Sequence, residues 1–155
     1  FLFQEKNNKR KLNLDLAQKL NINKVYYNKL TQGENVFNEN GEEIDYREVT
    51  SKGLKNKSYA FCSDTRYFPN IIKKISKVDL LYHESTFLEK DKEKAKLTWH
   101  STAKDAAKIA RDAKVDKLII GHFSSRYENL DLFINEVKQI FQNVELAFDG
   151  KDIDI

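Results

Sequence analysis

The chain has 155 residues, 33% of them charged and 40% hydrophobic, and a formal net charge of +3. That is enough apolar material for the core of one domain, and it excludes a disordered or fibrous chain. No apolar run approaches the ~20 residues needed to cross a bilayer, and the single cysteine, Cys62, can form no internal disulfide, so a cytoplasmic protein without membrane contact is expected.

The sequence contains no methionine and opens on FLFQE, which reads as the middle of a strand. A portion preceding Phe1 is therefore expected. Next comes a strongly basic segment: residues 6–30 hold seven bases, Lys6, Lys9, Arg10, Lys11, Lys19, Lys24 and Lys29, against one acid, Asp15. With Tyr26 and Tyr27 in its midst, this is the footprint of a phosphate-contacting surface. Within it, NLDLAQKL (13–20) has helical spacing. NENG at 38–41 predicts a hairpin turn between ENVF and EEID.

From Ser58 onward strands alternate with helices. SYAFCSD reads as a buried strand, with Cys62 a small hydrophobe inside it. FPNIIKKIS predicts a helix carrying Pro69 in its first turn. VDLLYHE is a second strand, and KDKEKAKL a polar helical stretch. TAKDAAKIARDA is a helix opened by the capping-box pair Thr102 and Asp105. DKLIIGH is a third strand, and LDLFINEVKQIF an amphipathic helix. NVELAFDGKDIDI predicts two short strands around Asp149 and Gly150.

Such alternation implies an α/β fold with a mostly parallel sheet, whose ligands gather at the carboxyl ends of the strands. The first strand of this run leads into Asp64. The second ends in His83-Glu84, and the third delivers His122. His100 precedes the capped helix. All three histidines of the chain thus fall at this edge or beside it.

Aspartate and histidine are ligands for zinc and similar ions, and a metal pair activates water for phosphodiester cleavage. Glu84 and His100 suit a proton-transfer pair, in which the carboxylate orients the imidazole. No glycine-rich phosphate loop is present, and one cysteine makes no cysteine-based zinc site. Two metals need more ligands than Asp64 and His122 supply, so the remainder is expected outside this chain.

The motifs SYAFCSDTRY, DLLYHESTF, WHSTAKDAAKIA and LIIGHFSSRY, in this order and spacing, resemble ribonuclease Z, the tRNA 3′-processing endonuclease of the metallo-β-lactamase superfamily. The resemblance covers essentially the whole chain, residues 1–155, and matches roughly the C-terminal half of that family's domain. It implies half of an αββα sandwich, with two zinc ions per intact subunit at the strand edge. The bridging aspartate ligand falls on Asp64 and the last histidine ligand on His122. The carboxylate of the family's His-Glu-Ala-Thr loop falls on Glu84, with Ser85 standing where the family has alanine. The proton donor to the leaving ribose oxygen falls on His100.

The resemblance further implies a basic protruding arm, aligned with Lys6–Gly33, that grips tRNA through Lys6, Lys9, Arg10, Lys11, Lys19, Lys24 and Lys29. The Gly-Pro pair usual in that arm is missing from NINKVYYNKLTQG. The family's His-x-His-x-Asp-His motif, which supplies most zinc ligands, is also missing, as is its N-terminal substrate loop. The implied activity is zinc-dependent removal of the 3′ trailer from precursor tRNA by a cytoplasmic homodimer. This chain alone is then expected to be inactive and to bind zinc weakly. Two other readings stay open. One is a metallo-β-lactamase-fold phosphodiesterase acting on a small substrate. The other is a non-catalytic RNA-binding or dimerisation module.

Overall fold

The computed structural model describes residues 1–6 and 9–155. The chain divides into two compact units, Glu5–Asn56 and a larger one made of Phe1–Gln4 with Lys57–Ile155. In chain order, β1 (Leu2–Gln4) belongs to the larger unit. The smaller unit contains β2 (Lys11–Leu12), α1 (Leu14–Lys19), a 3-10 turn (Lys24–Tyr26), α2 (Tyr27–Gln32), β3 (Val36–Phe37), β4 (Glu43–Ile44), α3 (Tyr46–Val49) and β5 (Thr50–Ser51). The larger unit resumes with β6 (Ser58–Cys62), β7 (Leu80–Glu84), α4 (Lys92–Thr98), α5 (Ala103–Ala113), β8 (Lys117–Gly121), α6 (Asp131–Lys138) and β9 (Val144–Leu146).

The smaller unit has its own core of Ala17, Ile22, Leu30, Val36, Ile44 and Val49. The expected helix over 13–20 forms, capped by the Asn13 side chain on the Leu16 amide, and the expected hairpin pairs Val36 with Ile44. The segment Lys6–Gly33, of which Asn7 and Asn8 lie outside the described residues, is the first part of this unit. Val36, Ile44 and Val49, all beyond Gly33, complete its core. Arg10 is partly built into the unit: its Nε donates to Thr50 Oγ1 at 2.6 Å and its guanidinium lies 4.8 Å from the Tyr46 ring centre. Lys9 donates to Asn28 at 2.7 Å. Lys6, Lys11, Lys19, Lys24 and Lys29 are exposed.

In the larger unit a five-stranded sheet runs β1-β6-β7-β8-β9, with β1 antiparallel and the remaining neighbours parallel. Alternation of side chains along each strand sorts the residues onto two faces. Ala60, Cys62, Leu81, Leu118, Ile120 and Val144 share one face and form the core with α5 and α6. On α5 the buried residues Ala103, Ala106, Ala107, Ala110 and Ala113 recur at helical spacing. Their small side chains suit close approach of the helix to the sheet. Phe133 of α6 is fully buried, with the rings of Phe123 and Tyr127 at 4.7 and 5.0 Å. The other face carries an aromatic row, Phe3, Tyr59, Phe61 and Tyr82, with successive ring centres 5.9, 6.4 and 4.7 Å apart. One sheet layer covered on one face by helices is half of a four-layer sandwich.

Two expected elements differ. FPNIIKKIS is only a 3-10 turn (Pro69–Ile71) followed by further turns. Phe68 supplies no capping side chain, and nearly all its backbone bonds join residues three apart, such as Ile71 N–H to the Phe68 carbonyl. β-branched Ile71, Ile72 and Ile75 are instead drawn toward the sheet core. At the C-terminus the turn at Gly150 forms with φ of 82°, but residues 151–155 make no strand. Lys151 is held there by side-chain bonds to Glu145 and to the Leu146 carbonyl.

Candidate active site

The carboxyl edge of the sheet assembles the site. Asp64 stands two residues past β6, Glu84 ends β7, and His122 follows β8 directly. His100 lies between α4 and α5, two residues before the Thr102 cap. One carboxylate oxygen of Asp64 and one ring nitrogen each of His100 and His122 all fall within 4.8 Å of one another. His122 Nε2 is 3.3 Å from Asp64 Oδ1. The His100 and His122 ring centres are 5.2 Å apart. The expected convergence of Asp64, Glu84, His100 and His122 is therefore present in the fold.

Glu84 organises this edge. It is fully buried, and its carboxylate accepts five hydrogen bonds. Oε1 takes the Thr65 amide and His100 Nδ1, both at 2.8 Å. Oε2 takes the Thr86 hydroxyl at 2.7 Å, the Ser101 amide at 3.1 Å and the Thr86 amide at 3.2 Å. A buried carboxylate is tolerated only when donors surround it in this way. Because Thr65 follows Asp64 and Ser101 follows His100, these bonds also fix the two flanking loops.

Thr86 carries the network on to His122. Its hydroxyl has one proton, which goes to Glu84, so the 2.8 Å contact with His122 must be His122 Nδ1–H donating to the threonine oxygen. That places a proton on Nδ1 and leaves Nε2, 3.3 Å from Asp64 Oδ1, as the ring nitrogen facing the aspartate. The donor set of an aspartate oxygen and an imidazole nitrogen fits zinc or a similar divalent ion, with fewer than the four protein donors of a closed zinc site. Thr86 was present in the quoted HEST stretch, but no periodicity or charge signal marked it.

Backbone conformation contributes as well. Asp64, Trp99 and His122 adopt left-handed φ of 47°, 63° and 62°. Such values cost non-glycine residues free energy and recur at functional sites. They turn the chain sharply at each strand or helix end, directing the polar side chains across the edge. Further backbone ties hold the loops together: the Ser85 amide donates to the Gly121 carbonyl at 2.8 Å, and the Ser124 amide to the Thr86 carbonyl at 3.1 Å.

His83, the third edge histidine, takes no part. It shares register with Cys62 and Ile120 on the helix-covered face, is 1% exposed, and donates from Nδ1 to the Glu84 carbonyl at 2.7 Å. Burial lowers its pKa and keeps it neutral. Burial likewise raises the Cys62 thiol pKa, which fits an unreactive core residue.

No family model matches the chain. It is 41% identical over 155 residues to a protein named ribonuclease Z from Porphyromonas gingivalis, covering all of this chain and 51% of that protein. To ribonuclease Z of Cytophaga hutchinsonii it is 44% identical over 152 residues, covering 97% of this chain and 48% of the relative. Among solved structures, the metallo-β-lactamase fold protein YhfI from Bacillus subtilis superposes with a TM-score of 0.57 at 22% identity, over 66% of this chain and 44% of that one. A long form RNase Z from yeast superposes with a TM-score of 0.56 at 27% identity, over 63% of this chain and 13% of that one. The fold is that of the metallo-β-lactamase proteins, and the chain spans about half the length of the curated relatives it matches.

Proposed function

We propose that this chain is the C-terminal part of a zinc-dependent endoribonuclease that removes the 3′ trailer from precursor tRNA. In this reading the intact protein is a cytoplasmic homodimer binding two zinc ions per subunit, with the remaining ligands outside residues 1–155. The observation that carries it is the Glu84–His100 pair, joined at 2.8 Å, standing beside the Asp64 and His122 donors. Similarity to proteins named ribonuclease Z along the whole chain supports the same activity.

Asp64 and His122 would hold the metal, which when bound supplies positive charge at the phosphoryl oxygens and makes water more acidic. The residues of this chain do the rest. Glu84 engages His100 Nδ1, so the ring turns its Nε2 toward the substrate. Hydrolysis adds water across the phosphorus–O3′ bond. His100 Nε2–H gives its proton to the departing O3′, leaving a 3′-hydroxyl on the tRNA and a 5′-phosphate on the trailer. The exposed lysines of the smaller unit, Lys6, Lys11, Lys19, Lys24 and Lys29, are assigned to phosphate contacts on the tRNA, together with Lys9 and Arg10.

The test is end-mapping. The intact protein, incubated with a precursor tRNA, should release a trailer bearing a 5′-phosphate, and Asp64→Ala or His122→Ala should abolish the reaction. Removing residues 5–56, a whole compact unit, should weaken precursor binding and flatten its salt dependence. Hydrolysis of a small phosphodiester should persist. Unchanged tRNA cleavage without that unit would remove the RNA-gripping role. Cleavage of the small substrate alone by the intact protein would favour a different phosphodiesterase.

A further inference from the structure

Tyr127, the last residue of LIIGHFSSRY, belongs neither to the metal donors nor to the proton-transfer pair, yet its hydroxyl is fully engaged. It donates to Asp91 Oδ2 at 2.7 Å and accepts the Leu88 amide at 3.2 Å. Its ring stands edge-on to buried Phe133, the centres 5.0 Å apart. With one proton given and one accepted, this phenol reaches from the loop after His122 to the start of α4.

α4 depends on that reach. Its seven residues bury only Ala95, and a helix of this length has little stability of its own in water. Asp91 stands at its N-cap, where an aspartate ordinarily accepts from a first-turn amide. Here it makes no such bond. One carboxylate oxygen goes to Tyr127, and the other takes Lys94 Nζ at 2.8 Å. The start of the helix is thus anchored sideways. At the other end Trp99 turns left-handed, and the His100 amide donates to the Ala95 carbonyl at 2.9 Å. His100 is therefore carried on the last turn of α4. Two further bonds hold the entry turn: the Glu89 amide donates to Glu136 of α6 at 2.9 Å, and the Thr102 hydroxyl to Glu89 at 2.8 Å. Both run to helices, whereas the Tyr127 bonds run to the loop that follows His122.

We infer that Tyr127 is a positioning residue for the proton transfer: by holding Asp91 and Leu88 it fixes α4, and with it His100, against the loop carrying His122. Glu84 sets the direction of the His100 ring, and the placement of α4 sets where that ring stands. This role rests on the endoribonuclease reading, in which His100 protonates the leaving oxygen. A proton donor displaced by a fraction of an ångström transfers poorly even when correctly protonated.

Tyr127→Phe keeps the ring and removes both hydroxyl bonds. In the intact protein it should lower kcat on precursor tRNA about ten-fold, with KM and zinc content at the parent values. A nitrophenolate leaves a small phosphodiester without needing a proton, so hydrolysis of such a substrate should be unchanged. Asp91→Asn keeps an oxygen facing the phenol and should cut RNA as the parent does. Asp91→Ala should match Tyr127→Phe and add little to it. Amide hydrogen exchange reads the tie without any activity: over residues 92–100 it should quicken in Tyr127→Phe, with the β7 and β8 amides unchanged. Equal loss on both substrates, or loss of zinc, would overturn the positioning role and make Tyr127 a support of the metal donors. Unchanged exchange together with unchanged kcat would overturn the tie itself. Quickened exchange in a protein that cuts no RNA would overturn the nuclease reading and leave the tie standing.

Discussion

His100 presents Nδ1 to Oε1 of Glu84 at 2.8 Å, and that contact decides which nitrogen of the ring is free to act. It also makes His100 and Glu84 one unit. In the intact protein, His100→Ala is expected to slow RNA cleavage by ~10²–10⁴-fold. Glu84→Gln should act similarly, and the double variant should be little worse than either. His122→Ala, unlike His100→Ala, should lower zinc content, measured by elemental analysis. The ring nitrogen of His100 lies within metal reach of Asp64 and His122, so this measurement is decisive. Zinc loss from His100→Ala would make that histidine a ligand.

Glu84→Gln should also destabilise the fold. Both carboxylate oxygens accept only from donors, so an amide nitrogen in place of either leaves at least two donors facing another donor. A stability loss of about 2 kcal/mol or more is expected in denaturant unfolding. A change under about 0.5 kcal/mol would mean the loops around Glu84 rearrange freely.

Ser85 carries the opposite expectation. It is fully buried, and its hydroxyl finds no hydrogen-bond partner. Ser85→Ala removes an unsatisfied polar group without opening a large cavity, so the chain should gain about 1 kcal/mol. Thermal unfolding checks this, and a lowered midpoint would show that the hydroxyl is satisfied in solution.

Gly121 is required by its neighbour. A Cβ at this position would lie 2.5 Å from the Tyr82 hydroxyl and 2.9 Å from its ring. Gly121→Ala should destabilise by about 1–3 kcal/mol and weaken metal binding through the displaced His122. Tyr82→Leu in the same chain should recover part of the loss. Additive effects would place the strain elsewhere.

Glu145 sets an acid limit. Hydrogen bonds from Lys117 and Lys151 lower its pKa to about 2 from an ordinary 4.5. A depressed carboxylate pKa favours the folded state fully above the unfolded value, and the contribution fades as pH falls from about 4.5 toward 2. Because the side chain is 42% exposed, the pair contributes about 1 kcal/mol or less. Glu145→Gln should lower stability slightly at pH 7 and match the parent near pH 2. A constant difference across that range would exclude the ion pairs as its source.

Much of the larger unit was legible in residue order. Short apolar runs marked β6, β7 and β8. The Thr102–Asp105 box marked α5, because such signals act over a few residues. The rule that ligands gather at strand carboxyl ends was enough to bring Asp64, Glu84, His100 and His122 together on paper. Expectations failed where longer-range forces won. A helix over FPNIIKKIS gave way to core burial of its isoleucines, and a closing strand after Gly150 gave way to side-chain bonds of Lys151. His83 carried the same signal as His122, and only register put it on the buried face.

By itself the sequence determined β6, β7, β8, α5 and α6 of the larger unit, the residue kinds at its carboxyl edge and the basic character of residues 6–30. These follow from local spacing, chain order and charge. Only the tertiary structure decided that Glu84 collects donors from three loops, that Thr86 places a proton on His122 Nδ1 and that Tyr127 ties the loop after His122 to Asp91. Each of these joins residues far apart in the chain, where contact depends on packing and hydrogen-bond geometry rather than on spacing.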